Sequence, residues 1–117
     1  MNPEELKQRT KVFSIRVIRM VGTFPKGIVS NVIAYQIVKS ATSVAANYRA
    51  ACRGKSKADF IAKIKIVEEE ADETLFWLEI IYEIELIKKS KLTALLKEAD
   101  ELTAIFAASA STAKARK

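Results

Sequence analysis

Apolar residues recur along the chain every three or four positions, which is the spacing of one face of an α-helix rather than of a β-strand. The pattern stops and restarts near Phe24–Gly27, near Gly54 and near Lys88–Lys91, so it predicts four helices. Their predicted bounds are about 3–23, 28–53, 57–88 and 91–110, followed by a frayed basic tail, 111–117. Such helices with short connections fold back on one another. The pattern therefore predicts one all-α domain, 1–117, built as an antiparallel up-down-up-down four-helix bundle.

Polar residues at the predicted helix ends support these bounds. Asn2 is a good N-cap for the first helix, and Ser56, with Asp59 three residues later, resembles a capping box for the third. Gly54 is expected to end the second helix in the left-handed conformation, and Ser90 to cap the fourth.

One apolar stripe on each helix is expected to form the core. The first two helices contribute Leu6, Thr10, Phe13, Val17, Met20 and Phe24, then Ile33, Ile37, Ala41, Val44, Tyr48 and Ala51. The last two contribute Phe60, Ile64, Val67, Ala71, Leu75, Leu78, Tyr82 and Leu86, then Leu92, Leu95, Ala99, Leu102 and Phe106. These stripes fill the interior of a single bundle.

Two helices carry a second apolar stripe that one bundle does not need. It consists of Val12, Ile15 and Ile18 on the first helix and of Trp77, Ile80, Ile84 and Ile87 on the third. A large exposed apolar patch is a solubility liability for a monomer, so these residues predict the interface of a homo-oligomer. In the alternative, Trp77 and its neighbours pack within their own chain.

Composition excludes several kinds of chemistry. The 117 residues include no histidine, one cysteine and three scattered glycines, so no histidine-dependent nucleophile or metal site and no phosphate-binding glycine loop is expected. The acidic run Glu68–Glu73 would need carboxylates from another helix to hold a metal. We expect no enzyme activity, catalytic residue, metal or cofactor.

The chain lacks an apolar secretion signal and a membrane span, which predicts a cytoplasmic protein without membrane contact.

Charge is unevenly distributed along the chain. Residues 1–60 contain 11 basic and three acidic residues, a net charge of +8, whereas residues 61–117 contain nine basic and 11 acidic residues, a net charge of −2. Small residues lie among the cations of the second helix, which favours close approach of a phosphate backbone. The residues predicted to contact nucleic acid are Arg9, Arg16, Arg19, Lys39, Arg49 and Arg53. Alternatively, the basic and acidic halves form salt bridges within or between subunits, for example from the glutamates to Arg49 or Arg53.

Asn47 lies near the end of the second helix, between small and apolar residues. Its amide is expected to bond to a carboxylate of the third helix such as Glu73, as a structural contact. Cys52 is expected to be a small core or interface residue.

Three segments together resemble a known family. They are Ser40–Ala51, which contains Asn47-Tyr48-Arg49, then Ser56–Phe60, then Glu70–Glu79, which contains Trp77-Leu78. They are similar to the four-helix-bundle proteins encoded in intervening sequences of bacterial 23S rRNA genes, over nearly the whole chain. Many relatives have Glu-Gly soon after the Asn, whereas this chain has Arg49-Ala50-Ala51.

The resemblance implies a non-enzymatic bundle that assembles as a cyclic homopentamer. It also implies kinship with the accessory variability protein of diversity-generating retroelements, a basic pentamer that engages a reverse transcriptase and nucleic acid. By analogy, this chain would bind RNA or DNA non-specifically, with Asn47, Glu73 and Trp77 as structural signature positions. The alternative is a protein–protein interaction module, for example a partner of a reverse transcriptase or an RNA-processing factor, without direct nucleic-acid binding.

Overall fold

The computed structural model describes residues 1–115. This part of the chain contains four α-helices, α1 (Pro3–Val21), α2 (Ile28–Cys52), α3 (Lys57–Glu83) and α4 (Thr93–Ala115), with a short 3₁₀ turn, Lys89–Lys91, and no strand. The predicted all-α class and four-helix bundle are therefore confirmed. The bundle is 47 Å long and 20 Å across. No helix within residues 1–115 is both long and apolar enough to cross a membrane.

Each helix packs against the next one in the chain, and α1 also contacts α4. The contact between α2 and α3 is the most extensive, and that between α1 and α4 is slight. The predicted stripes of α2 and α4 are buried throughout. On α3, Thr74 and Ile81 are fully buried, whereas the predicted Leu75 and Tyr82 are only half-buried. The buried face of α3 differs from the prediction because this helix packs against both α2 and α4.

The predicted N-caps of α1 and α3 are confirmed. The Asn2 side chain accepts a hydrogen bond of 2.8 Å from the backbone N–H of Glu5. The Ser56 hydroxyl accepts one of 3.1 Å from the backbone N–H of Asp59. Each cap satisfies an N–H group that has no partner inside its own helix.

The predicted left-handed conformation of Gly54 is wrong. Gly27 is the only glycine within residues 1–115 that has a positive φ. The end of α2 instead tightens, and the Gly54 N–H donates a 3.0 Å hydrogen bond to the Ala51 carbonyl. A Cβ atom on Gly54 would lie 3.0 Å from that carbonyl oxygen and 3.0 Å from Oδ2 of Asp59. A glycine therefore fits this position because of the space it leaves, not because of its φ.

Helix α3 ends at Glu83 rather than near residue 88. Glu85 has a φ of 53° and donates its N–H to the Tyr82 carbonyl, at 3.2 Å. The next N–H, of Leu86, donates to the Ile81 carbonyl, at 3.1 Å. These two bonds and the left-handed residue form a Schellman motif, which stops the helix before the lysines.

Helix α4 is shifted towards the C-terminus relative to its predicted bounds. Ser90 lies inside the 3₁₀ turn and does not cap α4, which begins at Thr93. The helix then continues to Ala115, with Ala110 and Ala113 buried. Residues 111–115, predicted as a frayed tail, are thus helical, and Ala113 extends the buried face of α4. Residues 116–117 of the predicted tail lie outside the described residues.

Candidate nucleic-acid interface

A groove of about 490 Å³ lies between α1 and α2. Its cations are Lys7 and Lys11 of α1, Arg49 of α2 and Arg53, the C-cap residue of α2. Most other lining residues are small or uncharged: Gln8, Ser14, Ile15, Thr42, Ala45 and Ala46, with Glu4 at one end. We call this site the α1–α2 groove. Its cations surround short side chains, so a phosphate group can approach the helix backbones closely.

Helix periodicity and one buried hydrogen bond position these cations. Lys7 and Lys11 are one turn apart on α1, as are Arg49 and Arg53 on α2, so each pair projects from one face of its helix. The buried Ser14 hydroxyl donates a 2.9 Å hydrogen bond to the Ala41 carbonyl and thereby joins α1 to α2. The two pairs of cations consequently line the same groove.

The cations of the groove are largely without acidic partners. Lys11, Arg49 and Arg53 are exposed, and none of them forms an ion pair within residues 1–115. Lys7 pairs with Glu4 on its own helix. Within the described part of one chain, the α3 glutamates form no salt bridge with Arg49 or Arg53. The predicted set also omitted Lys7 and Lys11, although their one-turn spacing was a signal available in the sequence.

Arg9 occupies a different site from the one predicted. Its guanidinium donates two hydrogen bonds of 2.7 Å to the two carboxylate oxygens of Glu98 and one of 2.8 Å to Glu101, both on α4. The hydrogen bond to Glu98 raises the pKa of Arg9 against the lowering effect of burial, so Arg9 stays charged. We call this contact the Arg9 clasp. Arg9 therefore joins α1 to α4, and its hydrogen bonds to Glu98 and Glu101 use the donors that the predicted phosphate contact would need.

The other predicted cations lie away from the α1–α2 groove. Arg16 and Arg19 line a second groove, of about 330 Å³, together with Lys91 from the 3₁₀ turn. We call it the α1–α4 groove, because Leu95 of α4 also lines it. The Lys39 ammonium lies 6.0 Å from the centre of the Tyr35 ring. The predicted basic surface is thus divided into separate sites.

Apolar side chains are exposed on α1, α2 and α3. Val12, Ile15 and Ile18 of the predicted interface are exposed on α1, and so is Ile84 at the end of α3. The sequence prediction missed an exposed apolar group on the N-terminal half of α2. It comprises Ile28, Val29, Val32 and Tyr35, with Ile28 79% and Tyr35 66% exposed. We call these four residues the α2 apolar surface.

The acidic run Glu68–Glu73 lies on α3. No group of three or more potential metal ligands occurs within the described residues. Glu69, Asp72 and Glu73 are exposed, and Glu68 and Glu70 are half-buried.

Cys52 is half-buried one turn after Tyr48. Burial raises the pKa of the Tyr48 phenol, so this group stays protonated.

Comparison with known proteins agrees with this architecture. The family model described as "23S rRNA-intervening sequence protein" matches residues 4–108. The chain belongs to this family. A crystal structure of a protein of unknown function from the S23 ribosomal protein family of Bacteroides thetaiotaomicron has a similar fold, with a TM-score of 0.80. The two proteins are 29% identical, over 89% of this chain and 96% of that one. A search of curated proteins finds no match.

In this intervening-sequence protein, the signature residue Asn47 does not bond to Glu73. Its amide donates 2.9 Å hydrogen bonds to the carbonyl and the hydroxyl oxygen of Ser43, one turn earlier on α2. Glu73 is exposed on α3. The predicted link between the two helices is therefore wrong, because the Asn47 side chain satisfies its donors on its own helix.

A different polar pair joins α2 to α3. The fully buried hydroxyls of Ser40 and Thr74 lie 2.8 Å apart. The Thr74 hydroxyl donates to Ser40 or to the Glu70 carbonyl, also at 2.8 Å, and the Ser40 hydroxyl donates to the Ile37 carbonyl at 3.2 Å. This pair was not predicted, since small hydroxyl residues fit a core stripe without a distinctive pattern.

Trp77, the third signature residue, is half-buried and packs against the core, as does Ile80. The Phe76 ring lies edge-on to it, with ring centres 5.0 Å apart. Its indole Nε1 is buried and has no hydrogen-bond partner in the described part of the chain. Trp77 thus packs partly within its own chain, and part of its side chain remains exposed.

Proposed function

We propose that this member of the intervening-sequence family is a non-enzymatic scaffold that binds nucleic acid non-specifically through the α1–α2 groove. The observation that carries the proposal is the pairing of Arg49 and Arg53 with Lys7 and Lys11 around a floor of alanines. Phosphates that enter the groove would release counterions from the nucleic acid, which is the main source of sequence-independent affinity. The predicted cytoplasmic location remains part of this proposal.

The floor of the groove supports binding without sequence recognition. Ala45 and Ala46 present methyl groups, which offer no hydrogen bonds to base edges. The cations recognise phosphate groups, which RNA and DNA share. We therefore expect similar affinities for RNA and DNA strands of the same sequence and length.

Salt dependence tests the proposal directly. Fluorescence anisotropy would measure the affinity for a labelled single strand between about 50 and about 200 mM salt. Four cations predict a logarithmic slope of about −2.8, so that the affinity falls about 50-fold over this range. In the double variant Arg49→Gln/Arg53→Gln, two cations remain, and the fall should be only about sevenfold.

A control variant with the same net charge distinguishes the effect of the groove cations from the effect of the overall charge. Lys65→Gln/Lys97→Gln removes two exposed lysines from α3 and α4, outside the groove. This variant should keep the slope of the original chain. Absence of binding at about 50 mM salt, or an equal loss of slope in the control, would contradict the proposal.

We also propose that the helices alternate in direction. The cations Lys7 and Lys11 near the start of α1 share a groove with Arg49 and Arg53 near the end of α2, which supports an antiparallel pair. The short connection over 53–56 favours the same arrangement for α2 and α3.

The scaffold is further proposed to be a cyclic homo-oligomer, and the number of five rests on the family resemblance. Val12 and Ile18 of α1, which are exposed outside the α1–α2 groove, and the α2 apolar surface support self-association, because patches of this kind mark interaction sites. Light scattering should give about 65 kDa for five chains of 13.0 kDa. The variant Val32→Glu/Tyr35→Glu should lower this mass. Ile66→Glu, at an exposed apolar position of α3, should leave the mass unchanged.

The proposal has two contradicting outcomes. A particle of about 13 kDa at micromolar concentration would exclude the oligomer. Retention of the full mass in Val32→Glu/Tyr35→Glu would exclude the α2 apolar surface as its interface.

A further inference from the structure

The α1–α4 groove lies at the end of the bundle where the connections 22–27 and 84–92 meet. Three cations from two elements line it: Arg16 and Arg19 from α1, and Lys91 from the 3₁₀ turn. Between them lie Met20, Ile87 and Leu95, an apolar floor. The groove thus has a more apolar lining than the α1–α2 groove, where Ile15 is the only large apolar residue beside alanines and polar side chains.

The three cations have no acidic partner in the described structure. No carboxylate lines the groove, and neither arginine nor Lys91 belongs to an ion pair within residues 1–115. Arg19 lies in the last turn of α1, where a cation interacts favourably with the helix dipole. That effect accounts for Arg19 alone. Gathering three like charges around one groove is unfavourable unless an anion neutralises them.

The charge that the anion must carry indicates which kind of phosphate group fits the groove. An internal phosphodiester of a nucleic acid carries a single negative charge, whereas a phosphate monoester carries about −1.5 to −2 at pH 7 and presents three acceptor oxygens. Two arginines and a lysine match the monoester in charge and in hydrogen-bond donors. The apolar floor can contact the sugar next to such a group.

We propose that the α1–α4 groove binds the terminal phosphate of a nucleic-acid strand. The α1–α2 groove would hold internal phosphates, and the second groove would add a preference for a phosphorylated end. The inference rests on the proposed function for its ligand, because a terminal phosphate of a strand presupposes that a strand binds.

Two oligonucleotides that differ in one group provide the test. Anisotropy would compare a labelled 12-nucleotide RNA bearing a 5′-phosphate with the same RNA bearing a 5′-hydroxyl. We expect the phosphorylated strand to bind about tenfold more tightly. The preference should disappear in Arg16→Gln/Arg19→Gln. In Arg49→Gln/Arg53→Gln both strands should bind more weakly while the preference persists.

A second variant tests the groove independently, in case Arg16→Gln/Arg19→Gln does not fold. Lys91→Gln changes an exposed side chain outside the four helices and should lower the preference without altering the helical circular dichroism spectrum. Equal binding of the two strands by the original chain would overturn the inference. Persistence of the preference in both Arg16→Gln/Arg19→Gln and Lys91→Gln would overturn it as well.

Failure of the proposed function gives a different result, since neither strand would then bind. In that case adenosine 5′-monophosphate would be added while the arginine Nε–H signals are followed by NMR. Shifts confined to Arg16 and Arg19 would support a phosphate monoester site in the groove. Unchanged signals would overturn it.

Discussion

The Arg9 clasp is expected to hold α1 onto the bundle. The contact between α1 and α4 is slight, and Arg9 supplies three charge-assisted hydrogen bonds across it, to Glu98 and Glu101. The change Arg9→Ala removes all three bonds and leaves the Glu98 carboxylate without its partner. Alanine is a strong helix former, so the change does not disturb α1 through backbone propensity.

The size of the effect follows from the exposure of each group. The side chains of Arg9 and Glu98 are 22% and 18% exposed, whereas that of Glu101 is 47% exposed. A shielded, hydrogen-bonded charge pair contributes about 1.5–3 kcal/mol, and an exposed pair about 0.2–1 kcal/mol. We therefore expect Arg9→Ala to lower the free energy of unfolding by about 2.5 kcal/mol, which corresponds to a Tm about 10 °C lower.

Chemical denaturation measures this loss, with Lys11→Ala as the matched control. Lys11 is also a cation of α1, but it is exposed and forms no ion pair within the described chain. The control should change stability by less than about 0.5 kcal/mol. Hydrogen exchange should show faster exchange of the α1 amides in Arg9→Ala than in the control, because α1 would open locally.

A double-mutant cycle would refute or support the assignment to Glu98. Arg9→Ala and Glu98→Ala should show a coupling energy of about 1.5–2 kcal/mol. Equal losses in Arg9→Ala and Lys11→Ala, or a coupling energy near zero, would show that the clasp does not stabilise the protein.

Three further changes test local features. Glu85→Gly should raise stability by about 1 kcal/mol, because glycine adopts the positive φ of 53° freely; a lower Tm would contradict the Schellman ending of α3. Gly54→Ala should cost about 1 kcal/mol by crowding the Ala51 carbonyl, and an unchanged denaturation midpoint would show that the turn adapts. Thr74→Val should cost about 1–2 kcal/mol in urea denaturation, because the buried Ser40 hydroxyl loses its neighbour; a neutral result would show that Ser40 is satisfied by its own helix.

The helices and most of the core were predictable because burial follows the period of the helix. The predicted stripe of α4, from Leu92 to Phe106, is buried as a whole. The end of α3 was not predictable in the same way. The residue that adopts the left-handed conformation is Glu85, and glutamate carries no signal for it, whereas glycine does.

The neighbour that each cation of α1 contacts depends on the angular position of its side chain around the helix. Arg9 and Lys11 are two residues apart, so their side chains point about 200° apart around the helix. One contacts α4 and the other lines the α1–α2 groove. The sequence showed an excess of positive charge in this region, but assigning each cation to a groove required the positions of both neighbouring helices.

Because the floor of the α1–α2 groove is made of alanines, a substitution there can change the shape of the groove without changing its charge. Ala46 is exposed, so a leucine at this position would occupy the groove without displacing core residues. All four cations and the net charge would be unchanged. Steric obstruction and electrostatic attraction can thus be varied separately at one surface.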